Sequence, residues 1–182
     1  IGSPDSEATV FLMGAEFILT GSINQCTVEA GTSDTVKDLL SGMNVQDTSY
    51  IRTIGGYDTY QQMQVLKKGT LFYVCAEKFY DLYHRVNSIE EIDDKTRELL
   101  ETRYLKRSFQ EVLYEIEPNE ELEVSYNTSK IQLKLVFEWY LKKAFNWAIE
   151  GDTNNQINYG IMCSAALGAF NQWVKGTTME DW

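Results

Sequence analysis

The densest helical pattern in the chain lies at residues 129–150. With about 3.6 residues per turn, Leu133, Val136, Phe137, Tyr140, Ala144, Trp147 and Ala148 fall on one arc, and Lys130, Lys134, Glu138 and Lys142 fall opposite. Trp139, Leu141, Phe145 and Ile149 lie outside that arc. A helix apolar over most of its circumference needs neighbours or a partner on more than one side. The same region has a rival reading: Leu122, Val124 and Tyr126, then Ile131, Leu133, Leu135 and Phe137, alternate as in a hairpin around 127–129. Ser129 with Gln132 forms a capping box, and no Gly or Pro follows for twenty residues, which favours a helix starting at Ser129.

Upstream, residues 10–19 and 23–28 can make a small antiparallel pair, and Gly14 fits a strand bulge as well as a helix. Residues 34–40 read as a helix with early acids and Gly42 at its end. The stretch 44–57 is loop-like, with Gly55-Gly56 as a hinge. No GK[ST] follows to make a phosphate cradle. Asp58 or Thr59 then caps a helix to Lys68, closed by Gly69. Thr70 caps the next, striped by Leu71, Cys75, Phe79, Leu82 and Val86. Ser88 with Glu91 opens a short turn. Residues 95–117 read as one long helix ended by Pro118, with Leu99, Leu105, Phe109, Val112 and Ile116 inward.

The last helix is predicted over 155–175. Gly160, Ser164 and Gly168 repeat every four residues along it, a ridge that admits a close backbone. The short loop at 151–154 should fold it back antiparallel on the 129–150 helix. The expected fold is therefore mainly α, with α+β left open. It is a single domain over 1–182 around that antiparallel pair, with a small β element within 1–30, a helical core at 58–175 and a tail at 176–182.

A length of 182 residues and a hydrophobic fraction of 43% suit a folded domain with a core that needs no metal or disulfide. No apolar run approaches a membrane span, and Ile1-Gly2-Ser3-Pro4 reads as a remnant of expression rather than a signal core. The net charge of −11 divides into −8 over residues 1–94 and −3 over residues 95–182, so a uniformly basic nucleic-acid surface is excluded. Cys26, Cys75 and Cys163 are scattered and odd in number beside one histidine. This predicts no metal site, no cofactor and a reducing, cytoplasmic compartment.

Candidate chemistry is sparse. His84 lies between Asp81 and Arg85 with no partner identifiable from the order of residues, and the acids Glu111, Glu115, Glu117, Glu120, Glu121 and Glu123 read as a solvated helix edge. The strip Lys95, Arg97, Arg103, Lys106 and Arg107 carries Tyr104 among its arginines, a combination that can track a nucleic-acid backbone and stack a base. Aromatic content is 13%, more than one small core needs, which points to interface surfaces at Trp139, Phe145 and Trp173 together with Gly160, Ser164 and Gly168. No P-loop, GxSxG, HExxH or Rossmann glycine signature is present. The expectation is a non-enzymatic structural or protein-binding component, forming a homo-oligomer or larger assembly or binding a protein partner. Its two rivals are a small hydrolase using carboxylates or His84, and a nucleic-acid-packaging protein using Arg103, Tyr104, Lys106 and Arg107.

Overall fold

The computed structural model of the chain describes residues 2–52, 61–116 and 129–180. The helices are α1 (Pro4–Leu12), α2 (Asp34–Ser41), α3 (Phe72–Arg85), α4 (Asp94–Leu99), α5 (Phe109–Glu115), α6 (Ser129–Glu150) and α7 (Ala165–Val174). Two strands, β1 (Thr48–Arg52) and β2 (Gln62–Leu66), pair in a two-stranded sheet. The fold is mainly α with a small β element, as the hydrophobic pattern predicts. The chain forms two compact units, one of Ile1–Tyr50, Met63–Tyr73 and Phe145–Trp182, the other of Ile51–Gln62 and Val74–Ala144.

The first unit is built around Val36 and Leu40 of α2, Leu66 of β2, Leu167 of α7 and the loop residues Met43, Tyr159, Ile161 and Cys163, all buried. Helix α7 lies against the 3-10 turn Val45–Asp47, and Gly168 makes that approach possible. A Cβ at Gly168 would stand 2.3 Å from both the Asn44 carbonyl carbon and the Val45 nitrogen. Asn171 Nδ2 ties the same surfaces by donating to the Leu40 and Met43 carbonyls at 2.8 and 3.0 Å. The segment following the 3-10 turn Thr153–Asn158 is extended rather than helical. It bonds β2 from Leu66 N to Ile161 O and from Cys163 N to Gln64 O, with an antiparallel bridge between Val65 and Met162.

The second unit packs α3 against α6 through rings. Phe79 stacks on Phe137 with centroids 4.3 Å apart at 9°, and meets Tyr140 edge-on at 5.0 Å. Leu133, Val136, Phe137, Tyr140, Leu141 and Ala144 of α6 are all buried, and Trp139 is 9% exposed. The apolar belt of this helix is thus covered over several faces. Lys130 holds the end of α3, donating to the Val86 carbonyl at 2.6 Å and to the Tyr83 carbonyl while its ammonium lies over the Tyr83 ring. These C-terminal carbonyls lack partners within their own helix.

Several expectations require correction. Residues 10–19 and 23–28 do not pair as strands: residues 10–12 end α1, which Ser3 caps in a box with Ser6 and Pro4 opens, and Ile23–Cys26 is a 3-10 turn. Gly2 lies so close to α7 that a Cβ would meet the Ala166 carbonyl oxygen at 2.1 Å. The strands lie at 48–52 and 62–66 rather than within 1–30, and a strand replaces part of the helix expected up to Lys68. The long helix expected at 95–117 is broken into α4, a π-helical stretch Leu100–Leu105 and α5. Lys106 carries the break with φ at 56° and Ser108 recaps the chain through Glu111. The helix expected at 155–175 is a 3-10 turn, an extended segment and α7, so Gly160, Ser164 and Gly168 do not share one helical ridge. The partner of α6 in its buried rings is α3, not the last helix. The diglycine at 55–56, the alternation at 122–126 and the acids from Glu117 to Glu123 lie outside the described residues.

Candidate functional site

Two groups of side chains gather the residues that could carry function, one in each unit. In the first, Gln25, Thr32, Phe145, Ala148, Ile149, Gly160, Ile161 and Met162 line a cavity of about 220 Å³. Gly160 faces the Phe145 and Phe72 rings, where a Cβ would stand 3.1 Å from each. Phe145 and Phe72 meet edge-on with centroids 5.3 Å apart. Gln25 Nε2 donates to the Met162 carbonyl at 2.8 Å, which joins the wall to the extended segment. The cavity offers apolar walls and amide edges, and no charged group lines it.

In the second unit, Glu115 sits between two cations above an indole. Lys143 Nζ reaches its carboxylate at 2.8 Å, Arg107 pairs with the other oxygen, and both cations lie over the Trp139 ring, at 5.5 and 5.4 Å from its centroid. The Lys143 hydrogen bond, with the Arg107 charge adding to it, holds the Glu115 carboxyl below its ordinary value of 4.5. A depressed folded value means the contribution to stability is complete above the ordinary glutamate value and is lost as pH falls through the lowered one. Glu115→Gln should therefore melt below the wild type at neutral pH, with the gap closing in acid. Parallel thermal melts across that range check it, and a gap independent of pH would refute the assignment.

The predicted basic strip does not form a stacking surface. Tyr104 is 6% exposed, in edge-on contact with Tyr140 at 6.4 Å, so no base can reach its ring. Arg107 is already engaged by Glu115, and Arg97 donates to the Ile89 carbonyl at 3.0 Å, leaving Lys95, Arg103 and Lys106 as the strip's other exposed members. His84 is exposed, its Nδ1 2.9 Å from the Tyr80 carbonyl and its ring between Tyr80 and Tyr83, which is a helix-surface setting. Of the other expected interface residues, Trp139 is buried, Gly160 and Gly168 are buried within the first unit, and Ser164 donates its backbone N–H to Ser22 Oγ at 2.8 Å. Trp173 is 39% exposed beside Phe170, with ring centroids 5.6 Å apart.

All three cysteines are buried free thiols. Burial pushes Cys26 up to about 11 and Cys163 up to about 12, and raises Cys75 against a hydrogen bond to Tyr140. Thiols so raised are poor nucleophiles at neutral pH. No group of three or more potential metal ligands exists among the described residues. Nor is any helix among them long and apolar enough to cross a membrane.

With this geometry in place, comparison with known proteins changes the functional picture. Residues 86–159 match the family model described as [Acyl-carrier-protein] S-malonyltransferase, inserted helical domain. The whole chain is 46% identical to part of the polyketide biosynthesis protein PksE of Bacillus subtilis, of which it spans 24%, and 42% identical to part of ThaF of Burkholderia thailandensis, of which it spans 16%. The crystal structure of the enoyl reductase domain of MlnA, from the macrolactin biosynthesis cluster of Bacillus amyloliquefaciens, superimposes with a TM-score of 0.92 at 45% identity. That match covers 99% of this chain and 42% of that one. The chain resembles one segment of larger biosynthetic proteins. This overturns the expectation of a non-enzymatic structural or binding protein, and with it the hydrolase and packaging rivals. Part of the aromatic content that suggested a free-standing interface instead packs α3 on α6, through Phe79, Phe137 and Tyr140. No catalytic motif signalled the relationship, and the description of the matched family model names a helical insert.

Proposed function

We propose that this chain is the helical portion of an enoyl reductase serving a synthase of the polyketide type. The single observation behind this reading is the fit to the MlnA enoyl reductase domain over 99% of the chain at 45% identity. The reaction reduces the carbon–carbon double bond of an enoyl thioester, with hydride delivered to the β carbon and a proton to the α carbon. In this reading the protein partner is the acyl carrier that presents the thioester, and the groups that move hydride and proton lie in the rest of the reductase domain. The buried, raised thiols and the helix-surface His84 agree with that division. Three free thiols also suit a reducing compartment, and we place the protein in the cytoplasm.

A chimera tests the proposal. The matched segment of the MlnA enoyl reductase domain is replaced by this chain, and oxidation of a reduced nicotinamide is followed with an enoyl thioester. The chimera should reduce the double bond at a rate comparable to the parent domain. A folded chimera without activity would count against the reading. The match of residues 86–159 supports a second one, a helical insert of an acyltransferase. Transfer of a malonyl group to an acyl carrier by a protein carrying this chain, without enoyl reduction, would select it.

A further inference from the structure

Residues 11–19 form an apolar arm on which almost nothing packs among the described residues. Leu12, Met13, Phe17 and Leu19 are 89, 82, 71 and 87% exposed, and Phe11 is 49% exposed. Helix α1, which leads into the arm, buries none of its residues. The exposure does not come from a loose chain end, because both ends of the arm are tied to the same unit. Gly2 abuts Ala166 and Ala169 of α7, and Ser22 Oγ accepts the Ser164 N–H at 2.8 Å. Five large apolar side chains held in water along one short stretch are rare on a protein that works alone. Each would gain stability by leaving water.

We propose that this arm is the seat of the remainder of the enoyl-reductase domain, the part that the structural match leaves uncovered. Two observations favour that occupant. The fold of this chain recurs almost unchanged in the MlnA domain, yet accounts for only 42% of it, so in that molecule more than half the polypeptide lies beyond the shared segment. The charge around the arm is one-sided: residues 1–36 hold Asp5, Glu7, Glu16, Glu29 and Asp34 and no Lys or Arg. An apolar stretch whose own acids are Asp5, Glu7 and Glu16 fits an apolar face edged with cations, whereas it repels an identical copy of itself. The proposal rests on the enoyl-reductase reading, but it can fail separately from it.

The test uses the triple variant Leu12→Lys, Phe17→Lys and Leu19→Lys in two settings. In the 182-residue chain alone, the variant should melt as the wild type does and should lower the fluorescence of an apolar-surface dye, since no native packing is lost. In the chimera with the MlnA domain, the same changes should lower the melting temperature by about 5 °C or more. A conservative triple, Leu12→Met, Phe17→Leu and Leu19→Met, should restore it. Loss of stability in the isolated chain would show that the arm packs within its own fold, and an unchanged chimera would show that nothing covers it there; either result overturns the proposal. So would a wild-type chain that light scattering finds dimeric and the lysine triple variant makes monomeric, since a second copy would then be the occupant. Because melting is read without substrate, a stable but inactive chimera would refute the reductase reading while leaving the docking result readable.

Discussion

Phe79→Ala should cost about 4 kcal/mol, the largest single-residue loss expected in the second unit. Phe79 is fully buried, and it joins α3 to α6 by two ring geometries at once, stacked on Phe137 and edge-on to Tyr140. Truncation removes the transfer energy of the ring, leaves a cavity between helices, and forfeits two aromatic pairings worth about 0.5–1.5 kcal/mol each beyond area. Phe79→Leu, which refills much of the volume, should recover a large part of the loss. Urea unfolding of the three proteins measures it. A loss below about 1 kcal/mol for the alanine variant would mean that the α3–α6 contact is not what holds this unit.

Gly168→Ala should cost about 3 kcal/mol, although alanine is ordinarily the better helix former. The methyl group would stand 2.3 Å from two backbone atoms of Asn44 and Val45, and backbone cannot rotate aside as the tip of a side chain can. Helix α7 must therefore lift from the Val45–Asp47 turn, which strains the Asn171 bonds to Leu40 and Met43 as well. The control is Gly21→Ala, where nothing lies within 4 Å of the added Cβ, so stability should change by less than about 0.5 kcal/mol. At this chain length the Gly168 variant should melt about 6–12 °C lower. Equal melting temperatures for the two alanine variants would show that α7 has room to spare.

These two sites also mark where the chain is readable from its pattern. Phe79 lies on the stripe Cys75, Phe79 and Leu82, a helical repeat dense enough to identify its face without tertiary information. Helix α6 was legible for the same reason, with Ser129 at its start and no breaker before Gly151. Strand β2 was not. Its sequence, Gln62-Met63-Gln64-Val65-Leu66, is tolerated in either state, and what makes it a strand is pairing with β1 and with residues 161–163, remote in the chain. The break at Lys106 had a local signal that went unread. Ser108 and Glu111 form a capping box in the middle of the expected long helix. Pro4 behind Ser3 likewise announced α1. The functional relationship was illegible for a different reason: side chains that pack a helical segment are chosen for shape, and shape leaves no catalytic signature in a single sequence.

The π-helical stretch at Leu100–Leu105 accommodates one residue more than an α-helical path would need. A wide turn of this kind is a length difference stored in the backbone. Deleting a single residue within 100–105 would let the turn relax to ordinary α-helix and leave the flanking residues in helical register, because the deletion removes the one residue that the wide turn adds. Leu100, Tyr104 and Leu105 now face inward on one side of the stretch and Phe109 and Val112 on the other, across the reversal at Lys106. After such a deletion the two sets would still point to the same core. The same deletion in α3 or α6, where no residue is in excess, would turn everything beyond it by about 100°, so this stretch is a place where the chain can change length by one without changing its packing.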